Sequence, residues 1–217
     1  MATLKSEWVE YGNFRWLEVE VKITFVEGVL GTMPSDPQVY ETYIASKAPK
    51  EDVTRDEVSD FAVETDRSGT TVFPIDEDGR EYLYDYQIKG YFKDTCGTLR
   101  RDKAGKSISS SIKAYKKDID GLIFIKERKI PFVYDGQKTY CQRPLRASTP
   151  QGERVALACS EEIPAGATLH FTVLCKTEEM RDAVYEWLDY GIFRGMGQWR
   201  NSGKGRFVWE PLNRISD

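Results

Sequence analysis

The sequence predicts an α+β fold whose elements run in the order β-α-β-β-α-β. Three observations predict it: a strand of strict alternation near the N-terminus, two separate segments with helical spacing, and short apolar β-rich runs between and after them. In residues 16–26, Leu17, Val19, Val21, Ile23 and Phe25 fall on one face and Glu18, Glu20, Lys22 and Thr24 on the other. That is the pattern of a half-buried strand. Residues 28–84 follow neither period. They carry Pro34, Pro37, Pro49, Pro74 and the turn Asp78-Gly79, and read as a long insertion between the first strand and the first helix. Residues 86–99 return to helical spacing, with Ile88, Tyr91, Phe92, Cys96 and Leu99 on one stripe and Asp85 placed to cap it. Gly90 and Gly97 lie inside this helix, where each costs about 1 kcal/mol relative to alanine. Both therefore point to close packing or close approach of a ligand.

A Gly/Ser/Lys loop at 103–111 follows. Residues 121–125, 129–134 and 154–159 are strand candidates, and the turn at 163–166 leads into another at 168–175. Residues 178–190 form an amphipathic helix through Met180, Ala183, Val184, Trp187 and Leu188, with Glu178 and Glu179 suited to its positive end. A short strand at 207–209 closes the series. This order is that of a ferredoxin-like (RRM-like) core, and 217 residues fit one domain, 1–217, carrying the 28–84 insertion.

No apolar run approaches the roughly 18 residues that a membrane span needs, and the N-terminal MATLKSEWVEYG lacks the apolar stretch of a signal peptide. Cys96, Cys141, Cys159 and Cys175 form no C-x-x-C pair, so neither a zinc site nor any cofactor is expected, and the thiols read as reduced in a cytoplasm. The net charge of −4 and pI near 5.3 count against a general nucleic-acid coat protein. The charge is uneven, however. Glu51, Asp52, Asp56, Glu57, Asp60, Glu64 and Asp66 crowd residues 51–66, whereas Arg100, Arg101, Lys103, Lys106, Lys113, Lys116 and Lys117 crowd residues 100–117. An acidic chain can still carry a local basic groove.

The segment 191–209 carries the functional reading. It combines Gly191, Gly195, Gly197, Gly203 and Gly205 with Arg194, Arg200, Lys204 and Arg206, contains no acidic residue, and follows a helix. Such a loop can aim several N–H groups at a phosphate while its cations add charge, with Gln198 beside them and Trp199 as a flat face for a base. Tyr82, Tyr84 and Tyr86 are further stacking candidates. Lys106-Ser107 echoes the end of a P-loop, but Arg100 stands where its first glycine belongs. His170 is the only histidine, out of phase with Leu169 and Phe171, and reads as a strand residue without a catalytic role. Asp36, in Ser35-Asp36-Pro37, reads as a turn.

Three stretches, in order, resemble the RAMP superfamily, the ferredoxin-like RNA-binding subunits of CRISPR effector complexes. YDYQIKGYFK at 84–93 resembles the family's first helix with its SxKG turn, followed by a basic residue such as Arg100 or Arg101. EIPAGATLHF at 162–171 resembles the "paGt-f-f" segment leading to the strand before the second helix. GMGQWRNSGKGRF at 195–207 resembles the hallmark glycine-rich loop, G-x-G-x-x-x-x-x-G-x-G-[RK]-[FV]. The resemblance implies a non-catalytic RNA- or nucleotide-binding protein. Lys89 and Gly90 would lie near the ligand, and Gly195, Gly197, Arg200, Gly203, Lys204, Gly205 and Arg206 would face it, with the Arg100, Arg101 and Lys106 run extending the track. It also implies a homo-oligomer or a subunit of a larger ribonucleoprotein, with no membrane partner, encoded at a CRISPR locus or by a phage and then acting in host cytoplasm. The acidic balance around one compact basic site raises a second reading, sequestration of a cyclic nucleotide immune signal. A metal-dependent endoribonuclease and a structural subunit complete the alternatives.

Overall fold

The alternation at 16–26 belongs to β2 (Phe14–Phe25), the central strand of the larger sheet in the computed structural model, which describes residues 7–35, 70–102, 105–149 and 152–212. Asp36, Lys103 and the acidic run 51–66 lie outside the described residues. Leu17, Val19, Val21, Ile23 and Phe25 are all buried, so the period-two pattern maps directly onto one covered face. β11 (Thr168–Cys175) pairs antiparallel along one edge of β2. β1 (Glu7–Tyr11) and β12 (Phe207–Pro211) share its other edge, one at each end. The far edge of β11 carries β7 (Ile123–Ile125) and β8 (Lys129–Val133), and β8 pairs in turn with β6 (Tyr82–Tyr84). Between β7 and β8 the ladder is interrupted, and the Glu127 carboxylate accepts from the Thr172 backbone N–H (2.7 Å) and hydroxyl (2.9 Å) in its place.

The helices α1 (Asp85–Leu99) and α3 (Glu178–Asp189) pack on the buried face. Ile88, Tyr91, Phe92 and Cys96 of α1 enter the core, as their spacing predicts, and Leu99 packs at its margin. Asp85 is the first helical residue and not the cap. The capping position falls to Tyr84, whose N–H donates to Gln87 Oε1 at 2.9 Å, while Asp85 pairs with Arg128. Thr177 caps α3 through its hydroxyl, which accepts from Met180 N–H at 3.2 Å. Trp187 is fully buried, and its indole N–H donates to Ser109 Oγ at 2.8 Å. Truncating it to alanine is worth about 3–5 kcal/mol.

Several elements differ from the sequence reading. β1 and β9 (Thr139–Thr149) were not anticipated, and residues 115–122, which begin inside the basic run, form α2 (Tyr115–Leu122), which takes Gly121 and Leu122 away from the expected strand. Within the expected loop, residues 105–111 carry a 3-10 turn, Ile108–Ser110, which Glu186 fastens: the carboxylate accepts from Ile108 N–H and from the Ser107 and Ser109 hydroxyls at 2.7–3.0 Å. The ends of the 28–84 insertion are strands. β3 (Val29–Leu30) and β5 (Thr70–Val72) pair with one edge of β10 (Gly152–Ile163), β4 (Met33–Pro34) pairs with β5, and β9 pairs with the other edge of β10 along a long hairpin. Residues 154–159 are thus the middle of a much longer strand. The two sheets are tied by Lys138, whose ammonium reaches Glu81 at 2.8 Å and Glu161 at 3.1 Å. Among the described residues no helix is long and apolar enough to cross a membrane.

Candidate nucleic-acid interface

The glycine-rich segment leaves α3 through a 3-10 turn, Tyr190–Ile192, and crosses itself before entering β12. Met196 N–H donates to Gly205 O (2.9 Å), Gly205 N–H to Gly28 O (2.8 Å), and Val26 N–H to Arg206 O (2.8 Å). A Cβ on Gly195 would sit 2.0 Å from Lys204 O, and one on Gly205 2.0 Å from Met196 O. These two glycines are therefore required by contact of the chain with itself. Gly197 and Gly203 turn the backbone at φ +79° and +89°, Gly203 closing the 3-10 turn Arg200–Ser202.

The loop's cations do not stand free. Arg194 grips Asp94 of α1 with two nitrogens and Asn201 with a third, and Arg200 Nη2 reaches the same Asp94 at 3.3 Å. Lys204 donates to Glu162 of β10 at 2.6 Å, which holds its pKa above the ordinary lysine value. Arg206 bonds Gly203 O and Glu27 Oε1, both at 3.2 Å. The lack of acids within the segment thus did not carry over into space, because folding brings acids from three other elements.

Lys89 points elsewhere. It lies five positions before Asp94, roughly 140° round the helix, donates to Asp120 O at 3.1 Å and covers the Phe124 ring at 4.7 Å. Burial lowers its pKa against the opposing pull of Asp120. Arg100 caps the far end of α1 and stacks over Tyr115 at 4.9 Å, and Arg101 and Lys106 are exposed beyond it. Of the two helical glycines, Gly97 is explained by Tyr115, whose hydroxyl would meet a Cβ at 3.0 Å; Gly90 has nothing within 4 Å. Gln87, Gly90 and Asp94 share one stripe of α1. Gln87 donates to Thr32 at 3.0 Å and Asp94 holds Arg194, so Gly90 opens a gap between two anchored contacts.

Arg143, on β9, is the residue that sequence reasoning missed. It is 6% exposed, donates to Ser160 Oγ at 3.1 Å and to Gln198 Oε1, and lies 5.3 Å over the Trp199 ring. Among the described residues no carboxylate pairs with it. Burial depresses its pKa, with Cys141 opposing. Trp199 is the one non-glycine residue at positive φ (+56°) among the described residues, and it is 38% exposed. Beside it, Arg200 Nε is buried without a hydrogen-bond partner. Nothing in the string TYCQRPLRAST marks Arg143 out; only the packing of the hairpin against the glycine loop does so.

No protein-family model matches the sequence, and no curated protein matches it. In structure, the chain is similar to a chain in the cryo-EM structure of the Type III-B Cmr-beta bound to cognate target RNA. The TM-score is 0.50 at 12% identity, over 92% of this chain and 60% of that one. The likeness is one of fold. This chain spans less than two thirds of the length of its neighbour.

The remaining candidates separate clearly. Tyr82, Tyr84 and Tyr86 cluster at the start of α1, Tyr84 and Tyr86 with parallel rings 5.1 Å apart. His170 is exposed on β11, opposite Lys22. No group of three or more His, Cys, Asp or Glu side chains placed to hold a metal occurs among the described residues.

Proposed function

We propose that this chain is a RAMP-like protein that binds RNA, or a nucleotide-containing ligand, without cutting it. It holds a phosphate where the glycine-rich loop meets the β9–β10 hairpin. Arg143 carries this reading. A buried guanidinium with no acid to balance it is destabilising by several kcal/mol, and such a charge is accounted for when the balancing anion is the ligand. Trp199, held in a strained backbone conformation against that guanidinium, supplies the flat face that a base requires. Together they match a nucleotide: negative charge on Arg143, ring on Trp199.

Other observations support the reading. The strands β12, β2, β11 and β7 lie in that order, all antiparallel, with α1 and α3 on one face, which favours a ferredoxin-like core. The three RAMP-resembling segments fall on α1, on the turn before β11 and on the glycine loop. The similar chain comes from an RNA-bound assembly, which favours RNA as the ligand and a ribonucleoprotein as the setting. In this reading Arg194, Arg200, Lys204 and Arg206 brace the loop against Asp94, Glu162 and Glu27, while Arg143, Gln198 and Trp199 touch the ligand.

The test is equilibrium binding of fluorescent single-stranded RNA by the full chain at low salt. Saturable binding that weakens with salt, with the RNA recovered intact and His170→Ala indistinguishable from wild type, is the expected result. Absence of binding to both RNA and mononucleotides refutes the proposal, and cleaved RNA refutes its non-catalytic part.

A further inference from the structure

A shallow depression of about 360 Å³ lies beside the N-terminus of α1, lined by Met33, Pro34, Ser35, Pro74, Ile75, Tyr82 and Tyr84. Its lining mixes apolar side chains with Ser35 and two tyrosines. Tyr82 is buried beneath it, and its hydroxyl donates to the hydroxyl oxygen of Tyr84 at 2.9 Å. The Tyr84 ring stacks on Tyr86 with planes 17° apart, and the Arg128 guanidinium covers both rings at 5.4 and 5.7 Å. Lys129 covers Tyr82 at 5.3 Å and pairs with no carboxylate among the described residues, whereas Arg128 is balanced by Asp85. Ile75 and Tyr86 are 56% and 54% exposed, so this apolar and aromatic surface is left in water.

One short segment, Leu30 to Met33, runs from the glycine loop beside Arg143 to the depression. The Leu30 carbonyl would lie 3.2 Å from a Cβ on Gly197, and Met33 forms the rim of the depression. At about 3.3 Å per extended residue, these points are roughly 10 Å apart along the chain, a gap that neighbouring nucleotides of one strand can span. The stripe of α1 facing this segment is the one that Gly90 leaves open. A strand leaving Trp199 would pass over Gly90 to reach the depression and the two cations that cover its tyrosine rings.

We infer that this depression receives a nucleobase of the same single-stranded RNA, stacked against the Tyr84–Tyr86 pair, with Arg128 and Lys129 contacting the adjoining phosphate. The inference rests on the RNA-binding reading above. The cations over the rings and the short Leu30–Met33 segment leading to the Arg143 site favour RNA over a proline-rich peptide, which would need no such charge.

The experiment uses the full chain, a short single-stranded RNA and a ribose-phosphate oligomer of equal length lacking bases. Tyr86→Ala removes a half-exposed ring and spares the core. Base–aromatic stacking is worth about 1–3 kcal/mol, so Tyr86→Ala should weaken RNA binding about 5- to 150-fold. The abasic oligomer should bind wild type correspondingly more weakly and be indifferent to Tyr86→Ala. Arg128→Gln should weaken both ligands. If RNA binding depends on Arg143 but not on Tyr86 or on the presence of bases, the depression is excluded and the Arg143 site survives. If wild type binds no RNA, both proposals fall. Competition at Tyr86 by a proline-rich peptide, with RNA insensitive to the substitution, would overturn the inference in favour of a protein partner.

Discussion

At the scale of single residues, Lys138 joins two carboxylates that are almost fully buried, Glu81 and Glu161, and Tyr134 donates to Glu81 at 3.0 Å. Burial raises the pKa of Glu81, but the Lys138 bond, a backbone N–H and Tyr134 outweigh it, and the net value lies below the ordinary 4.5. A carboxylate depressed on folding adds stability that is fully present above its unfolded pKa and is lost as pH falls through the folded one. Urea midpoints should therefore be steady from pH 7 towards 5 and fall below about 4.5, with Glu81→Gln showing a smaller acid dependence; equal acid dependence in the two proteins contradicts the clamp. Lys138→Met leaves both acids without their cation and should cost about 1–3 kcal/mol. The four thiols are free. Burial pushes Cys96 up to about 11 and Cys175 up to about 12, so alkylation of the native protein at pH 8 should spare both and modify Cys141 and Cys159 first.

At the scale of elements, the glycines of the loop divide into two kinds that composition could not distinguish. Gly205→Ala drives a methyl into Met196 O and should prevent folding or cost several kcal/mol, whereas Gly203→Ala meets only the Arg206 side chain at 3.5 Å. It pays the left-handed penalty of about 1–2 kcal/mol and should remain folded by circular dichroism. Gly90→Leu tests the open stripe of α1. It replaces a poor helix former in empty space, so thermal stability should rise while RNA affinity falls; unchanged affinity would show that no ligand passes there. The periods that read true were those of elements with one covered face: β2, β11, α1 and α3. α2 was hidden because its eight residues bury only Ile119 fully and carry several charges, a pattern that reads as loop. β9 and the full length of β10 were hidden because Leu157 and Tyr140 stay exposed, so the apolar period that marks a core strand is absent.

At the scale of the whole molecule, the net charge of −4 and the pairing of loop cations with Asp94, Glu162 and Glu27 point to a built site and not to a broad basic field. That arrangement was illegible in the sequence because each cation and its acid are separated by tens of residues or more. Arg143 was illegible for the same reason. Binding through one or two phosphate contacts predicts a shallow salt dependence, a slope near −0.7 per contact for a single strand; a slope of several times that size would mean a long basic track. The central claim, that Arg143 is kept buried and unbalanced for a ligand, is tested most directly by Arg143→Met, measured for unfolding and for RNA binding on the same preparation. The account predicts a melting temperature equal to or above that of wild type, because an uncompensated buried charge is removed, together with at least a tenfold loss of RNA affinity. A destabilised protein that binds RNA as tightly as wild type would contradict it.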